Sequence, residues 1–299
     1  MKILCVGSCM YDETFLVDCF IKENTKNKSE VKKECGGGTA ANIACLLGKW
    51  GMEVYFAGII GNDYYGNKIK DEFEKYNVNT KYLKMSNNFS TATSTIIVNK
   101  KNGSRTVLSY KPDNMKLDDL ELDFIPDIII IDGQEYEISK KILKKFPNSI
   151  SIIDAGRVNN ETLELSHLVD FLICSSEFAQ KITNIDINYE NIETISNIYN
   201  KLKKLFNNEI IITLGEKGVL YKKDNKIKIM KSISVNAVDT TGAGDVFHGA
   251  FAYGIATKMN LENTLKLCNV AAGLAVTKIG GRISIPSKAE VKAKLDEYR

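Results

Sequence analysis

The sequence is poor in several features that would each point to a function class. Only four of its 299 residues are proline and 21 are glycine, which excludes a collagen-like, proline-rich or low-complexity chain. Hydrophobic residues at 44% and charged residues at 26% leave no room for extended disorder and give enough apolar material for a large core. No apolar run approaches the ~18 residues of a membrane span, and Asp12 and Glu13 interrupt the apolar start, so the N-terminus reads as a strand rather than a leader. Arginine is scarce: Arg105, Arg157, Arg282 and Arg299 are the only ones among 40 basic residues, and 37 acidic residues balance them to +3. A nucleic-acid binder would show clustered arginine or a basic stripe, so nucleic acid is not expected as a partner. Lysines on Ser139 to Phe146 alternate with apolar residues as on a solvated helix face. Seven cysteines (Cys5, Cys9, Cys19, Cys35, Cys45, Cys174, Cys268) form no Cys-x-x-Cys pair, so they read as buried thiols in a reducing cytoplasm. Two phosphate motifs are missing as well: no Gly-x-x-x-x-Gly-Lys-Ser/Thr loop occurs, and no Gly-x-Gly-x-x-Gly follows the first strand.

What is present alternates between strand and helix. Lys2–Val6, Glu53–Ile60, Asp127–Asp132, Ser149–Asp154, Asp170–Cys174 and Glu209–Leu214 are continuous apolar runs, as suits strands buried on both faces of a parallel sheet. Ala40–Trp50 places Ile43, Leu46, Leu47 and Trp50 on one helical stripe. Asn191–Phe206 does the same with Ile192, Ile195, Ile198, Leu202, Leu205 and Phe206. Gly244–Lys258 and Leu261–Lys278 read as two consecutive helices. The alternation predicts an α/β fold with helices on both faces of the sheet. Two stretches depart from it. Glu13–Val17 and Val31–Cys35 are short strands across a polar turn, and Thr91–Val98 and Arg105–Tyr110 flank Asn102-Gly103, a hairpin signal. These form a small half-exposed sheet, either a lid over a cleft or a plain edge extension.

The most informative segment is Asp239-Thr240-Thr241-Gly242-Ala243-Gly244-Asp245-Val246-Phe247-His248-Gly249-Ala250. A small-residue loop running into a helix aims backbone N–H groups outward, which suits phosphate or a transferring phosphoryl group. A carboxylate at Asp245 beside such an anion site is repelled unless something lies between, and an attacking hydroxyl supplies that intermediary, with Asp245 taking its proton. A second glycine turn, Gly36-Gly37-Gly38-Thr39-Ala40-Ala41-Asn42, again leads into a helix, and Asn42 offers both a donor and an acceptor to hydroxyl groups.

Together these segments resemble the ribokinase-like (PfkB) carbohydrate kinase family. Gly37-Gly38-Thr39-Ala40-Ala41-Asn42 and Asp239 to Ala250 match its two signatures. Gly61 to Gly66, Thr213 to Gly218 and Ala275 to Gly281 match supporting segments in the same order. The resemblance implies a three-layer α/β/α fold with a mostly parallel central sheet and a small β-sheet lid. It covers a single domain, residues 1–299, with lid segments at about 12–35 and 90–111. It implies Asp245 as catalytic base with Gly242, Ala243 and Gly244 as anion hole, and Asp12, Gly37, Gly38, Thr39 and Asn42 as sugar-binding residues. Thr213, Gly215 and Gly218 would bind the nucleotide, with Asn269 at the adenine. Asp239, Thr241, Ala275, Lys278, Gly280 and Ser284 would line a site for a monovalent cation such as K⁺, Ala275 and Lys278 through their carbonyls. ATP and Mg²⁺ are the implied cofactors, a small sugar with a primary hydroxyl the acceptor, and a homodimer through the lid the implied assembly.

The chain departs from the family at three places. Ser175-Ser176-Glu177-Phe178 stands where many members carry Asn-x-x-Glu, Met10 where the ribose-specific branch has Asn, and Asp132-Gly133-Gln134-Glu135 where the phosphosugar branch has a Gly-Ser-Leu-Pro-Pro-Gly segment. Strict ribose specificity is therefore not implied, and a substrate already bearing phosphate is disfavoured, although Arg105 and Arg157 remain to grip an acidic group. His248, one turn past Asp245, reads as a hydrogen-bonded neighbour of the site, His167 as helix surface and Trp50 as core. Two other readings stay open. A nucleoside kinase on the same fold would want aromatic lid residues, which Thr93, Thr95 and Ile97 do not supply, and a non-catalytic sugar or nucleotide sensor would have no need of Asp245.

Overall fold

A computed structural model describes residues 1–19, 21–189 and 191–297, without the side chain of Ile192. Arg299 and the Ile192 side chain therefore lie outside the described residues. In chain order the strands are β1 (Lys2–Val6), β2 (Met10–Val17), β3 (Lys32–Gly37), β4 (Glu53–Gly61), β5 (Asn79–Ser86), β6 (Thr93–Asn99), β7 (Arg105–Tyr110), β8 (Ile128–Ile131), β9 (Ile150–Ala155), β10 (Phe171–Ser175), β11 (Glu209–Thr213), β12 (Val219–Lys223) and β13 (Lys226–Met230). The helices are α1 (Thr39–Lys49), α2 (Tyr64–Lys75), α3 (Tyr136–Lys145), α4 (Asn160–Ser166), α5 (Ser176–Thr183), α6 (Ile192–Leu205), α7 (Ala243–Ala256), α8 (Leu261–Ala275) and α9 (Lys288–Glu297).

The continuous isoleucines of β8 explain the architecture. Ile128 and Ile130 join one hydrophobic core while Ile129 and Ile131 join another, because successive side chains of a strand point to opposite faces. β1 divides likewise, Ile3 and Cys5 to one face, Leu4 and Val6 to the other. One core takes apolar residues of α1, α2, α7, α8 and α9, and the other those of α3 to α6. The fold is thus the three-layer α/β/α arrangement. Its sheet of nine strands has the order β13-β12-β11-β10-β9-β8-β1-β4-β5, all in one direction except β12, which pairs antiparallel with both β11 and β13.

Strand order reverses at β1. The chain first runs outward through β4 and β5, then returns to β8 on the other side of β1 and continues to β11. In such sheets ligands bind beyond the carboxyl ends of the strands at this switch point. Ser8 follows β1 and Asp132 follows β8, and the Ser8 N–H donates to Asp132 Oδ2 at 2.8 Å across that crevice. A second sheet, β3-β2-β6-β7, is inserted beside it. The hairpin expected around Asn102-Gly103 is the antiparallel β6–β7 pair, with Gly103 at a φ of 68°. A small core of Leu16, Ile96 and Val98 holds this sheet together.

Two expectations need correction. Leu205 is 50% exposed rather than on the buried stripe of α6: the chain turns extended at Phe206, whose ring takes the buried position instead. Cys19 is exposed, in the polar turn after β2, whereas the other six cysteines are buried; all seven are free.

Candidate active site

The two glycine motifs meet although 203 residues separate their key side chains. Asn42, on the first turn of α1, donates from Nδ2 to Asp245 Oδ2 at 2.7 Å. This contact accompanies close packing of α1 against α7, where Leu46 sits against Gly249 so tightly that a Cβ there would lie 3.1 Å from its side chain. Gly38 starts α1 at a φ of 95°, and a Cβ on it would lie 2.5 Å from the Ser8 carbonyl oxygen, so only glycine fits. The start of α1 is fixed from below by Asp132, whose Oδ2 also accepts from the Ser8 hydroxyl and from the Ala40 N–H at 3.1 Å. The Thr39 N–H donates to Ser8 Oγ.

Asp12 reaches the same place from β2. A Cβ on Gly37 would fall 2.0 Å from Asp12 Oδ2, so the glycine makes room for the carboxylate. Asp12 is 5% exposed, and its Oδ1 has no hydrogen-bond partner among the described residues. Burial pushes its carboxyl up to about 7, opposed by the Arg282 guanidinium and helped by Asp245. An unpartnered buried carboxylate oxygen beside a cleft is an acceptor waiting for a donor.

Asp245 lies in the first turn of α7, whose N-cap, Gly242 at a φ of 75°, brings no side-chain cap. A Cβ on Gly244 would meet nothing within 4 Å, so the helix start faces open space. The helix dipole, the open approach and the missing side-chain cap suit an anion here, although the Ala243 N–H already donates to the Thr240 carbonyl at 3.4 Å. Burial raises the Asp245 carboxyl above its ordinary range, against the Asn42 hydrogen bond and the charges of His248 and Arg105. His248 is buried behind it, within 2.8 Å of the Gly244 carbonyl through Nδ1 and 3.1 Å from Asp154 Oδ2. Asp154, at the end of β9, is pushed up to about 6 by burial, with His248 opposing and Asp245 and Asp132 reinforcing.

The lid touches this loop. Arg105 Nη1 donates to the Thr240 carbonyl at 3.0 Å and to Thr240 Oγ1 at 2.8 Å, while the Thr240 N–H and hydroxyl donate to the Gly103 carbonyl. Next to it, fully buried Asp239 accepts from the Thr241 N–H and, across 41 residues, from the Gly280 N–H. Thr241 Oγ1 is buried with no partner among the described residues. Ser284 is buried too, its hydroxyl donating to the Gly281 carbonyl. The Ala275 carbonyl accepts from the Lys278 N–H, and the Lys278 ammonium turns outward to Glu290.

Of the residues expected at the nucleotide, Gly218 and Asn269 come together at the Met230 carbonyl. Thr213 Oγ1 donates to the Cys174 carbonyl, Gly215 (φ 58°) faces open space and Gly218 (φ 102°) packs against the Met230 carbonyl. Asn269 is buried, and its Nδ2 donates to the Met230 and Lys231 carbonyls, leaving only Oδ1 for another contact. None of these four bonds to the Asp12–Asn42–Asp245 group. Ser175 caps α5, and Glu177 is exposed and paired with Lys181 at 2.6 Å. The sequence reading missed Arg282 and Glu72, which pair behind the glycine turn with Arg282 fully buried and Glu72 partly exposed. A signal existed: one of four arginines stands among Gly280, Gly281, Ile283 and Ile285 in a chain that otherwise uses lysine.

With this arrangement in view, the sequence profile of the pfkB family carbohydrate kinases matches residues 1–288. The chain belongs to that family. It is accordingly a carbohydrate kinase, a phosphotransferase with an alcohol as acceptor. Ribokinase of Bacillus subtilis is 28% identical over 99% of this chain and 100% of its own length. A nucleoside kinase of Methanocaldococcus jannaschii is 24% identical over 100% of this chain and 98% of its own. The solved ribokinase structure from Thermotoga maritima superposes with a TM-score of 0.80 at 29% identity, covering 98% of this chain and 99% of that one. Among the described residues of this pfkB kinase, no helix is long and apolar enough to cross a membrane.

Proposed function

We propose that the chain is an ATP-dependent sugar kinase that transfers the γ-phosphoryl group to a hydroxyl, preferentially primary, of a small carbohydrate. The observation that carries this reading is the convergence of Asp12, Asn42 and Asp245 at one end of the sheet, beside the uncapped start of α7. Asp12 Oδ1 accepts one sugar hydroxyl and the Gly38–Asn42 turn holds others. The acceptor hydroxyl lies between Asp245 and the N–H groups of Gly242 to Gly244. Asp245 removes its proton, and the N–H groups stabilise charge spreading over the phosphoryl oxygens. A raised Asp245 pKa suits a base that must hold the proton it takes. The nucleotide lies along Thr213, Gly215 and Gly218, with Asn269 near the adenine.

The residues fit the implied metals. No group of three metal-ligating side chains occurs among the described residues, which suits an Mg²⁺ that arrives on phosphates, keeps its waters and takes one or two carboxylates. Asp154, half-hidden at the cleft beside Asp245, is the carboxylate for it. Mg²⁺ supplies charge neutralisation at the transferring phosphates. The orphaned Thr241 Oγ1 beside buried Asp239 fits a desolvated monovalent cation, held with Ala275, Lys278, Gly280 and Ser284, which would set the charge behind the Gly242 loop.

The same reading makes the small sheet a lid and places a second copy of the chain on it. All six residues of the edge strand β7 are exposed, Leu108 at 75%. The chain is then one kinase domain, with lid segments near 12–35 and 90–111. Six buried thiols and no disulfide fit a cytoplasmic enzyme. A nucleoside acceptor is the second reading, favoured by the archaeal relative and opposed by the lack of aromatic residues on β6, whose inward residues are Ser94, Ile96 and Val98. The test is ADP release from Mg-ATP over a panel of aldoses, ketoses, sugar acids, sugar phosphates and nucleosides. A sugar hit is expected. A nucleoside hit replaces the acceptor and keeps the chemistry, and silence with ligand binding intact supports a sensor.

A further inference from the structure

Arg282 lies in the loop between α8 and α9 and is fully buried. Its guanidinium donates from Nε to Asn42 Oδ1 at 3.2 Å, from Nη1 to Glu72 Oε2 at 3.1 Å and from Nη2 to the Gly37 carbonyl at 3.1 Å. The Phe73 ring lies 5.1 Å from its Cζ, and Glu72 accepts in turn from the Gly36 N–H. A Cβ on Gly36 would fall 1.8 Å from Nη1, and one on Gly37 would fall 2.0 Å from Asp12 Oδ2. Neighbouring residues of a strand face opposite ways, so the guanidinium and the carboxylate press on opposite faces of the same two-glycine segment of β3. An arginine so enclosed cannot touch substrate. Its Nε donates to Oδ1 of Asn42, which orients the amide so that the NH₂ group faces Asp245 and leaves one Oδ1 lone pair free.

We propose that Arg282 is a positioning residue for phosphoryl transfer, fixing the Asn42 amide toward Asp245 and backing Asp12 with positive charge from behind the glycine strand. This inference rests on the roles given above to Asp12 and Asp245. A buried ion pair is a poor device for joining α2 to β3, since apolar residues of similar volume would do it as well or better. The groups facing Asp12 are Arg282 from the loop, Asp245 from α7, Glu72 from α2 and Ser94 from β6. Those facing the guanidinium besides Glu72 are the thiols of Cys9, Cys35 and Cys45. Arg282 and Glu72 act on Asp12 with opposite sign, Arg282 more strongly.

The test is the pH dependence of kcat/KM for the best acceptor of the panel described above, in the wild type, Glu72→Gln, Arg282→Lys and the double variant Glu72→Gln/Arg282→Met, with thermal unfolding beside each. The double variant leaves no stranded buried charge. Its acid limb is expected to move up by about one pH unit, a tenfold change in the proton equilibrium. Glu72→Gln is expected to move the limb down or leave it. Arg282→Lys keeps the charge and loses the planar fork, so its limb stays while kcat drops about tenfold. An unmoved limb in a folded double variant, or a shift of the same sign in both Glu72→Gln and the double variant, overturns the inference. So does failure of the double variant to fold while Arg282→Lys keeps full kcat, because the pair is then structural. A wild type that transfers phosphate to no acceptor contradicts the kinase reading itself, and the role of Arg282 falls with it.

Discussion

Asp12 carries opposing demands at the scale of a single residue. The role proposed for it, accepting sugar hydroxyls, favours its ionised form, while burial holds its carboxyl up at about 7. Sugar affinity is therefore expected to rise with pH through about 6 to 8 and then level off, and Asp12→Asn should bind weakly with no such slope, as calorimetry would show. Stability responds with the opposite sign. The native carboxyl binds its proton more tightly than the unfolded chain does, so stability falls as pH rises from about 4 through about 7. Above that range the ionised Asp12 costs on the order of 2–4 kcal/mol. Asp12→Asn should accordingly raise the unfolding temperature of the free protein at pH 8, by roughly 5 °C. A variant that melts lower at pH 8 than the wild type would show that Asp12 is stabilised rather than strained. Asn42 and Asp245 could be picked out in the sequence because each stands in a short contiguous glycine-rich motif, whereas Asp12 entered only through the family resemblance. Arg282 and Glu72 were harder to see: they pair across 210 residues, and the glycines and isoleucines around Arg282 are the one local sign of its burial.

At the scale of elements, the β6–β7 hairpin is hydrogen-bonded to the loop before α7 at Thr240, through Arg105 and Gly103. Arg105 is exposed, so its removal should change global stability little. Arg105→Ala is expected to lower kcat/KM about tenfold, the size of one lost charge-assisted contact, with the unfolding temperature unmoved. Steady-state kinetics checks this, and unchanged kcat/KM would mean that the contact does not hold the lid for catalysis. The buried strands were readable as elements because both faces demand apolar side chains, which leaves runs such as Ile128–Ile131. β5 was not, because this edge strand is half-exposed and its sequence, NTKYLKMS, shows neither a continuous nor an alternating apolar pattern. The β12–β13 hairpin also escaped, because its strands are only five residues each and lysine makes up much of both.

For the whole molecule, the order of layers follows from strands greasy on both faces, and the site follows from where the strand order reverses. What the sequence could not supply is the joining of distant segments there: Asp239 with Gly280, Asn42 with Asp245, the lid with Thr240. The Asp239–Gly280 junction bears on ion dependence. Replacing K⁺ by a bulky organic cation at constant ionic strength should lower kcat several-fold, and Thr241→Val, which removes the orphaned hydroxyl, should lose most of that response. Equal rates in both salts would argue against a cation at Thr241.

The central claim is that Asp245 takes the proton from the acceptor hydroxyl. Single-turnover transfer from radiolabelled ATP to the acceptor, compared between the wild type and Asp245→Asn, tests it most directly, with sugar affinity measured on the same preparations. The account predicts transfer slowed by about 10²–10⁴-fold with sugar affinity changed only a few-fold. Transfer within tenfold of the wild type, or a loss matched by an equal loss of sugar binding, would contradict it.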